Sequence, residues 1–476
     1  MSLVEQARKG LLWGVGTKIL NQCLSWIVTI WVIRLLTPED FAIIALNELS
    51  IGLLLVIGRF GFQNAIIKAK TLNYEQINQS FTFLFSINTF MFLIVQGLAS
   101  SLAIIFNNEE LEGLIRISSI LFLLLPFTTI TYALIYRNML YKKIAQFDVF
   151  INFFQICTNL ILAVLGYGFW ALAIGIIVAQ VLRAIGYSYI IKFKPKFDFS
   201  RQEIKQLYSD SNYSFFTGLA WELTHRVDIF FINHFIGSLA LGFYRIGLTL
   251  AEKPVALVGQ VVQQIGLSSF SKISNDKKLV GQYVVKASSV MAFFAYPVFF
   301  GISSIAPNLI PLVLGDKWHE AIVPLQILCL VQLVNSLKDI SSTALFSVNG
   351  AKRNFIHTIS ALVAISIAWW FGLTYSFMIG CSFYAITYFI WYIVHVFDVG
   401  RYIDLTGFWK CQFMPLLSSL VMFFFVIGIG EYLNNYSMII ILLSQLATGV
   451  LVYLFICFMF FREHSRKIIS FLLKSS

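Results

Sequence analysis

Charge is what this chain has least of. Only 12% of its 476 residues are Asp, Glu, Lys or Arg, against about a quarter in an ordinary soluble domain. Acids are scarcer still, 23 against 34 Lys plus Arg. Cysteine occurs six times, at 23, 157, 329, 381, 411 and 457, with no CxxC pair. That spacing excludes a zinc site and a disulfide scaffold and leaves small apolar packing residues. The six histidines are dispersed, with no metal-ligand spacing, and no nucleotide-binding loop occurs. Long polar stretches are missing too, so no external domain can house an enzyme.

What is present is hydrocarbon. The chain is 58% hydrophobic, with 47 Phe and a mean hydropathy of +0.81. This composition is that of an all-α polytopic membrane protein. Spans are expected at about 11–35, 41–66, 80–106, 114–136, 148–166, 169–191, 213–236, 240–268, 282–305, 320–346, 355–375, 377–397, 412–431 and 437–461. The first is too long for a signal-peptide core and lacks a small-residue cleavage site, so it reads as a retained helix. "NNEELEG" (107–113) and Ala306 to His319 read as outer loops.

With both termini cytoplasmic, the inner loops carry 23 Lys plus Arg and the outer loops only Lys317. That asymmetry sets the orientation. It also accounts for the net charge of +11 without a nucleic-acid partner. "VIRLLTPEDFAIIAL" (32–46) and "INHFIGSLALGFYRI" (232–246) repeat a span end, a tight turn and a span start. Six spans per repeat make the halves parallel, and two six-helix bundles around a central cavity follow. The expected divisions are 1–200, 201–400 and 401–476, the last holding two extra helices and a basic tail.

"WELTHRVDIFF" (221–231) interrupts this pattern. Its three formal charges cost about 8–10 kcal/mol in hydrocarbon on the insertion scale. Such groups pair inside a bundle or line something wet. Helical spacing gathers Lys18, Asn21, Gln22, Ser25 and Thr29 on one face of span 1. Glu48, Gly52, Arg59 and Gln63 share a side of span 2, and Glu222, His225 and Arg226 a side of span 7. Spans 8 and 10 add Arg245, Thr249, Glu252, Gln332, Asn335, Ser336 and Asp339. These stripes are read as cavity walls, with a buried Glu222–Arg226 pair as the structural alternative. Interior cations (Lys18, Arg59, Arg183, Arg226, Arg245, Lys253, Lys286, Lys338) outnumber interior acids (Glu48, Glu222, Asp228, Glu252, Asp339). A cationic cavity predicts an anionic substrate, pyrophosphate among the best fits.

Four motifs in order carry a family resemblance. "RLLTPEDFAIIAL" resembles R-L-L-G-P-E-x-[FY]-G-x-x-A-L of the polysaccharide transporters in the multidrug/oligosaccharidyl-lipid/polysaccharide (MOP) exporter superfamily. "DIFFINHFIGSLALGFYRIGLTLAEKP" matches its second motif at Asp228, Gly237, Gly242, Tyr244 and Pro254, and departs at Asn233 and Arg245. "FSKISNDKKLVGQY" and "LVLGDKWHEAIVPLQIL" resemble the third and fourth. The resemblance implies a Wzx-type flippase, moving undecaprenyl-pyrophosphate-linked O-antigen or capsule units from the cytoplasmic to the outer leaflet of a bacterial inner membrane. It implies a twelve-helix core plus two helices, no catalytic residues and no cofactor. Membrane lipids, a polysaccharide polymerase and a chain-length regulator are the implied partners. Lys18, Arg59, Arg226 and Arg245 become the candidate substrate cations. Asn21, Gln22, Ser25, Glu48, Glu222, His225, Glu252 and Asp339 become the polar and coupling candidates, with H+ and Na+ both open. A cation-coupled multidrug antiporter is the alternative. It commonly uses an acid in span 1, where this chain has none between 11 and 35.

Overall fold

The computed structural model describes residues 25–59, 61–69, 72–200, 212–254, 277–347, 351–401 and 404–460. Among these, eleven helices are long and apolar enough to cross a membrane, so the chain is an all-α polytopic membrane protein. It divides into two compact units, Met1–Phe230 and Phe231–Ser476.

Unit 1 begins with α1 (Ser25–Leu35) and α2 (Pro38–Arg59). The turn between them is a capping device written in four letters, "TPED". Asp40 Oδ2 accepts the Thr37 backbone N–H at 2.8 Å, and Thr37 Oγ1 accepts the Asp40 N–H at 3.3 Å. This satisfies two N-terminal donors reciprocally, and Pro38 occupies the first helical position, where no N–H is needed. Asp40 Oδ1 also accepts the Phe169 N–H at 2.8 Å, tying α2 to a second turn.

The second span does not run unbroken to 66 as its hydropathy suggests. Gly61 is left-handed (φ 73°), and α3 (Phe62–Lys68) starts afresh. Asn88 covers the break by donating to the Gly58 carbonyl at 2.8 Å. It comes from α4 (Tyr74–Ile105), which is capped by Asn73 and Gln76. Next come α5 (Glu110–Ser118) and α6 (Ile120–Arg137). Half of the expected "NNEELEG" loop is therefore helix, held by a Glu112–Arg116 pair at 2.8 Å. Phe62, Ile66, Phe81, Leu84, Ile130 and Leu134 form the core where α3, α4 and α6 meet. Then follow α7 (Tyr141–Val164) and α8 (Trp170–Ile191).

Span 7 is broken as well, into α9 (Asn212–Thr224) and α10 (Val227–Phe235). The break falls at His225–Arg226, inside the stretch that carries the charges. The Arg226 N–H reaches only as far back as the Leu223 carbonyl (3.2 Å), a tightened last turn.

Unit 2 continues through α11 (238–254) and the 38-residue α12 (Lys277–Leu314). The expected outer loop from 306 is helical to Leu314, although Pro297, Pro307 and Pro311 lie within α12. A helical proline orphans the carbonyl four residues earlier, which hydrocarbon cannot satisfy. Two of these carbonyls find side chains from other helices. Gln326 Nε2 donates to Ser303 O at 3.0 Å, and Tyr453 Oη to Phe293 O at 2.7 Å. Gly315 (φ 99°) finally stops the helix, and Trp318 is fully buried behind it. A short 3-10 turn, Asp316–Ala321, leads into α13 (Ile322–Ser347). Then follow α14 (Ala351–Leu373), α15 (Phe377–Val399), α16 (Leu405–Tyr432) and α17 (Met438–Phe460). The last two pack on α12 through Ile305, Met422, Val426, Tyr453 and Cys457.

Candidate functional site

The break in span 7 frees Arg226 from a regular helical position, and its guanidinium reaches α2. Nη1 lies 3.3 Å from Glu48 Oε2, and Nε donates to Glu222 Oε1 one helical turn back. The three side chains are 21%, 33% and 12% exposed for Arg226, Glu48 and Glu222. They are thus part-buried, neither sealed in a core nor fully exposed. α2 admits this packing because residue 52 is glycine. A Cβ there would stand 2.7 Å from both Cζ and Nε of Arg226. Arg59, exposed at the end of α2, lies within electrostatic reach of Glu222.

Three sequence-selected residues of unit 1 therefore form one network, Glu48, Glu222 and Arg226, with Arg59 within electrostatic reach of Glu222. His225 stands next to it, stacked on Trp221 with ring centroids 4.0 Å apart and Nδ1 3.0 Å from the Trp221 carbonyl. Ser25 is half-buried at the start of α1 and accepts Thr29 Oγ1 on its carbonyl at 2.7 Å. Lys18, Asn21 and Gln22 lie outside the described residues. Asp228 is buried at the start of α10, where its Oδ1 accepts the Ile229 N–H at 2.8 Å.

The other selected residues belong to unit 2. Arg245 is half-buried on α11, its carbonyl accepting Thr249 Oγ1 at 2.7 Å, and Glu252 is exposed about two turns on. Asp339 is 54% exposed and 3.6 Å from Lys338. The motif residues nearby are structural. Gly237 (φ 111°) ends α10, and Tyr244 is fully buried edge-on to Trp369 at 5.6 Å.

Gly52, in the sequence only a member of the span 2 stripe one turn after Glu48, is the residue whose missing side chain makes room for the guanidinium. The sequence reading does not single out a histidine pair, His357 and His395, 38 residues apart in sequence and 4.9 Å apart between ring centroids. Neither helix pattern marks them as partners.

Chemically, the unit 1 network presents a guanidinium fork that binds two oxygens from different carboxylates. The same fork geometry matches two oxygens of a phosphate. Exchange of one acidic partner for another requires no change in the arginine itself.

Known proteins agree with this architecture. The family described as "Polysaccharide biosynthesis protein" matches residues 31–323, more than half of the chain. The teichuronic acid biosynthesis protein TuaB of Bacillus subtilis is 22% identical over 427 residues, 83% of each chain. The lipopolysaccharide biosynthesis protein WzxC of Escherichia coli is 21% identical over 343 residues, 71% of this chain and 69% of that one. Among solved structures, the lipid II flippase MurJ in an inward closed conformation superposes with a TM-score of 0.76. It is 18% identical, covering 95% of this chain and 99% of that one. The chain belongs to the polysaccharide biosynthesis protein family.

Proposed function

We propose that this protein is a flippase for undecaprenyl-pyrophosphate-linked oligosaccharide, an O-antigen or capsule repeat unit, moved from the cytoplasmic to the outer leaflet by alternating access. The observation that carries this reading is Arg226 held between Glu48 and Glu222 against Gly52. An arginine that already binds two carboxylate groups in a part-exposed site is preorganised for a diphosphate. The arriving anion replaces Glu48 or Glu222 on the fork, and the displaced carboxylate takes up Arg59 or a cation. The released acid is then the group that carries a coupling ion. Arg245 and Lys18 stand as further candidate substrate cations from the sequence alone.

The names of the relatives support the substrate class. They speak of teichuronic acid and lipopolysaccharide biosynthesis, and of a lipid II flippase. The inner-loop excess of Lys plus Arg supports a bacterial inner membrane with both termini cytoplasmic. A polysaccharide polymerase and a chain-length regulator are the partners this placement calls for.

The test is leaflet-resolved. Deletion of the gene should leave lipid-linked glycan on the cytoplasmic leaflet, protected from externally added lectin in right-side-out vesicles. Re-expression should restore accessibility. Unchanged lectin accessibility after deletion, in a strain with no second flippase, rules the reading out.

A further inference from the structure

Arg226 has an aromatic neighbour that anion binding does not use. The Trp221 indole stacks on the His225 imidazole, with ring centroids 4.0 Å and planes 29° apart. The Trp221 carbonyl can only accept, so His225 Nδ1, 3.0 Å away, carries the hydrogen of that contact and the imidazole is held in place. One face of the indole is thereby covered. No other ring lies against Trp221 among the described residues, and the residue is 49% exposed. Its Nε1–H meets no acceptor among them either.

Two i, i+4 pairs thus run side by side at the end of α9: Trp221 with His225, and Glu222 with Arg226. At 100° per residue the four side chains fall within about 140° of arc. Glu222 Oε1 takes the Arg226 Nε–H, and its Oε2 accepts no hydrogen bond among the described residues. Hydrocarbon cannot face this arc. Trp221 stands nine residues into α9, deep in span 7, whereas tryptophans that face lipid collect at the interfaces. An indole N–H without an acceptor in hydrocarbon is costly, and the part-exposed charged pair beside it is costlier. Water or a polar ligand on this side removes both penalties.

A ring with one open face, an unengaged N–H at its edge and a carboxylate beside it suits one class of ligand. A pyranose presents C–H groups on a face, which pack on an aromatic ring. Its rim presents hydroxyls, which donate to a carboxylate and accept from an N–H. We infer that Trp221 is the platform for the sugar that adjoins the diphosphate, with His225 as its backing and Glu222 Oε2 as a hydroxyl acceptor. This rests on the flippase reading and names the part of the substrate that the site selects. With the diphosphate on Arg226, the sugar joined to it lies against the neighbouring pair, Trp221 and His225. A polyprenyl diphosphate without its glycan has nothing to place there. The platform therefore separates loaded from empty carrier lipid. Arg226 alone cannot do so, because both forms end in the same diphosphate.

The experiment uses the full chain in lipid vesicles and two probes. One is the host's own lipid-linked glycan, extracted from cells lacking the gene, and the other is undecaprenyl pyrophosphate without sugar. Wild type should bind the glycan-bearing lipid more tightly. Trp221→Leu keeps an apolar side chain but no ring. It should weaken binding of the glycan-bearing lipid about two- to tenfold, the range for one aromatic stacking contact, and leave binding of the sugar-free lipid unchanged. Trp221→Phe keeps a ring and should retain most of the preference, whereas Arg226→Ala should weaken both lipids alike. A second measurement holds even if the leucine variant fails to insert. The emission lost between wild type and Trp221→Phe isolates Trp221 from the other nine of the ten tryptophans. Acrylamide in the water should quench it, and brominated lipid should not. Quenching from the lipid overturns the proposal. So does a wild type without preference between the probes, or a Trp221→Leu variant that keeps the preference or weakens both probes equally. Wild type that binds neither probe refutes the flippase reading, and the inference with it.

Discussion

A methyl group at Gly52 would stand 2.7 Å from the guanidinium carbon of Arg226, across 174 positions of sequence. The colliding atoms are the far end of a flexible side chain, not backbone. Gly52→Ala should therefore leave insertion and thermal stability nearly unchanged while pushing the guanidinium off α2. A displacement of this size at a binding group typically costs about ten- to a hundredfold in rate. Export of lipid-linked glycan should fall by that order. Gly97→Ala, whose added methyl meets nothing within 4 Å, is the matched control and should export normally.

The ion network makes a charge prediction with a defined sign. Arg226→Ala leaves Glu48 and Glu222 facing one another, each without its arginine bond, at a cost of about 1.5–3 kcal/mol per lost charged hydrogen bond. Arg226→Lys keeps the charge but cannot bridge both carboxylates, so export should recover only in part. The double change Glu222→Gln with Arg226→Gln restores neutrality and should restore thermal stability. If the arginine meets substrate, the double variant still fails to export. Near wild-type export from it would make the pair scaffold, leaving Arg59 and Lys18 as the next candidates.

The "TPED" turn should behave as a stability element. Asp40 closes the capping box with Thr37 and also holds the Phe169 N–H. Asp40→Ala should cost about 1–2 kcal/mol, the range for a lost N-cap. Gly168 is left-handed (φ 54°), and its Cβ would approach Asp40 Oδ1 to 2.8 Å. Gly168→Ala should thus destabilise by a similar route. A lowered unfolding midpoint in detergent for both, with export intact at permissive temperature, is the expected result.

A strap after α8 carries a pH-dependent anchor. Asp198 accepts the Ser200 N–H at 2.9 Å and Gln79 Nε2 at 3.1 Å, and its own N–H reaches Thr82 Oγ1 at 2.8 Å. The hydrogen bonds from Ser200, then that from Gln79, hold its carboxyl below the usual carboxylate range. A lowered folded value means the anchor is fully present above the usual aspartate range, near pH 4, and is lost as pH falls through the folded value. Amide exchange of residues 193–200 should accelerate on such acidification, and Asp198→Asn should flatten the pH dependence. Identical profiles in variant and wild type would show that the strap is held by its Phe197 contacts with Phe81 and Phe85 instead.

Much of this architecture was legible in the sequence. The reason is physical: hydrocarbon forces every span to show a run of apolar residues, and backbone groups must be paired within it. "TPED" announces its cap because all of its partners lie within four residues. The charges of "WELTHRVDIFF" called for pairing or water, since lone charges in a span are costly, and Arg226 is indeed paired with Glu222. Tertiary structure alone decided the rest. It ended α2 and broke span 7 where periodicity continued, and it carried α12 through three prolines by lending it Gln326 and Tyr453. It gave Arg226 a second acid 178 residues away, and it set His395 against His357. Such pairings arise from which helix lies beside which, and no helical period records the identity of a neighbour.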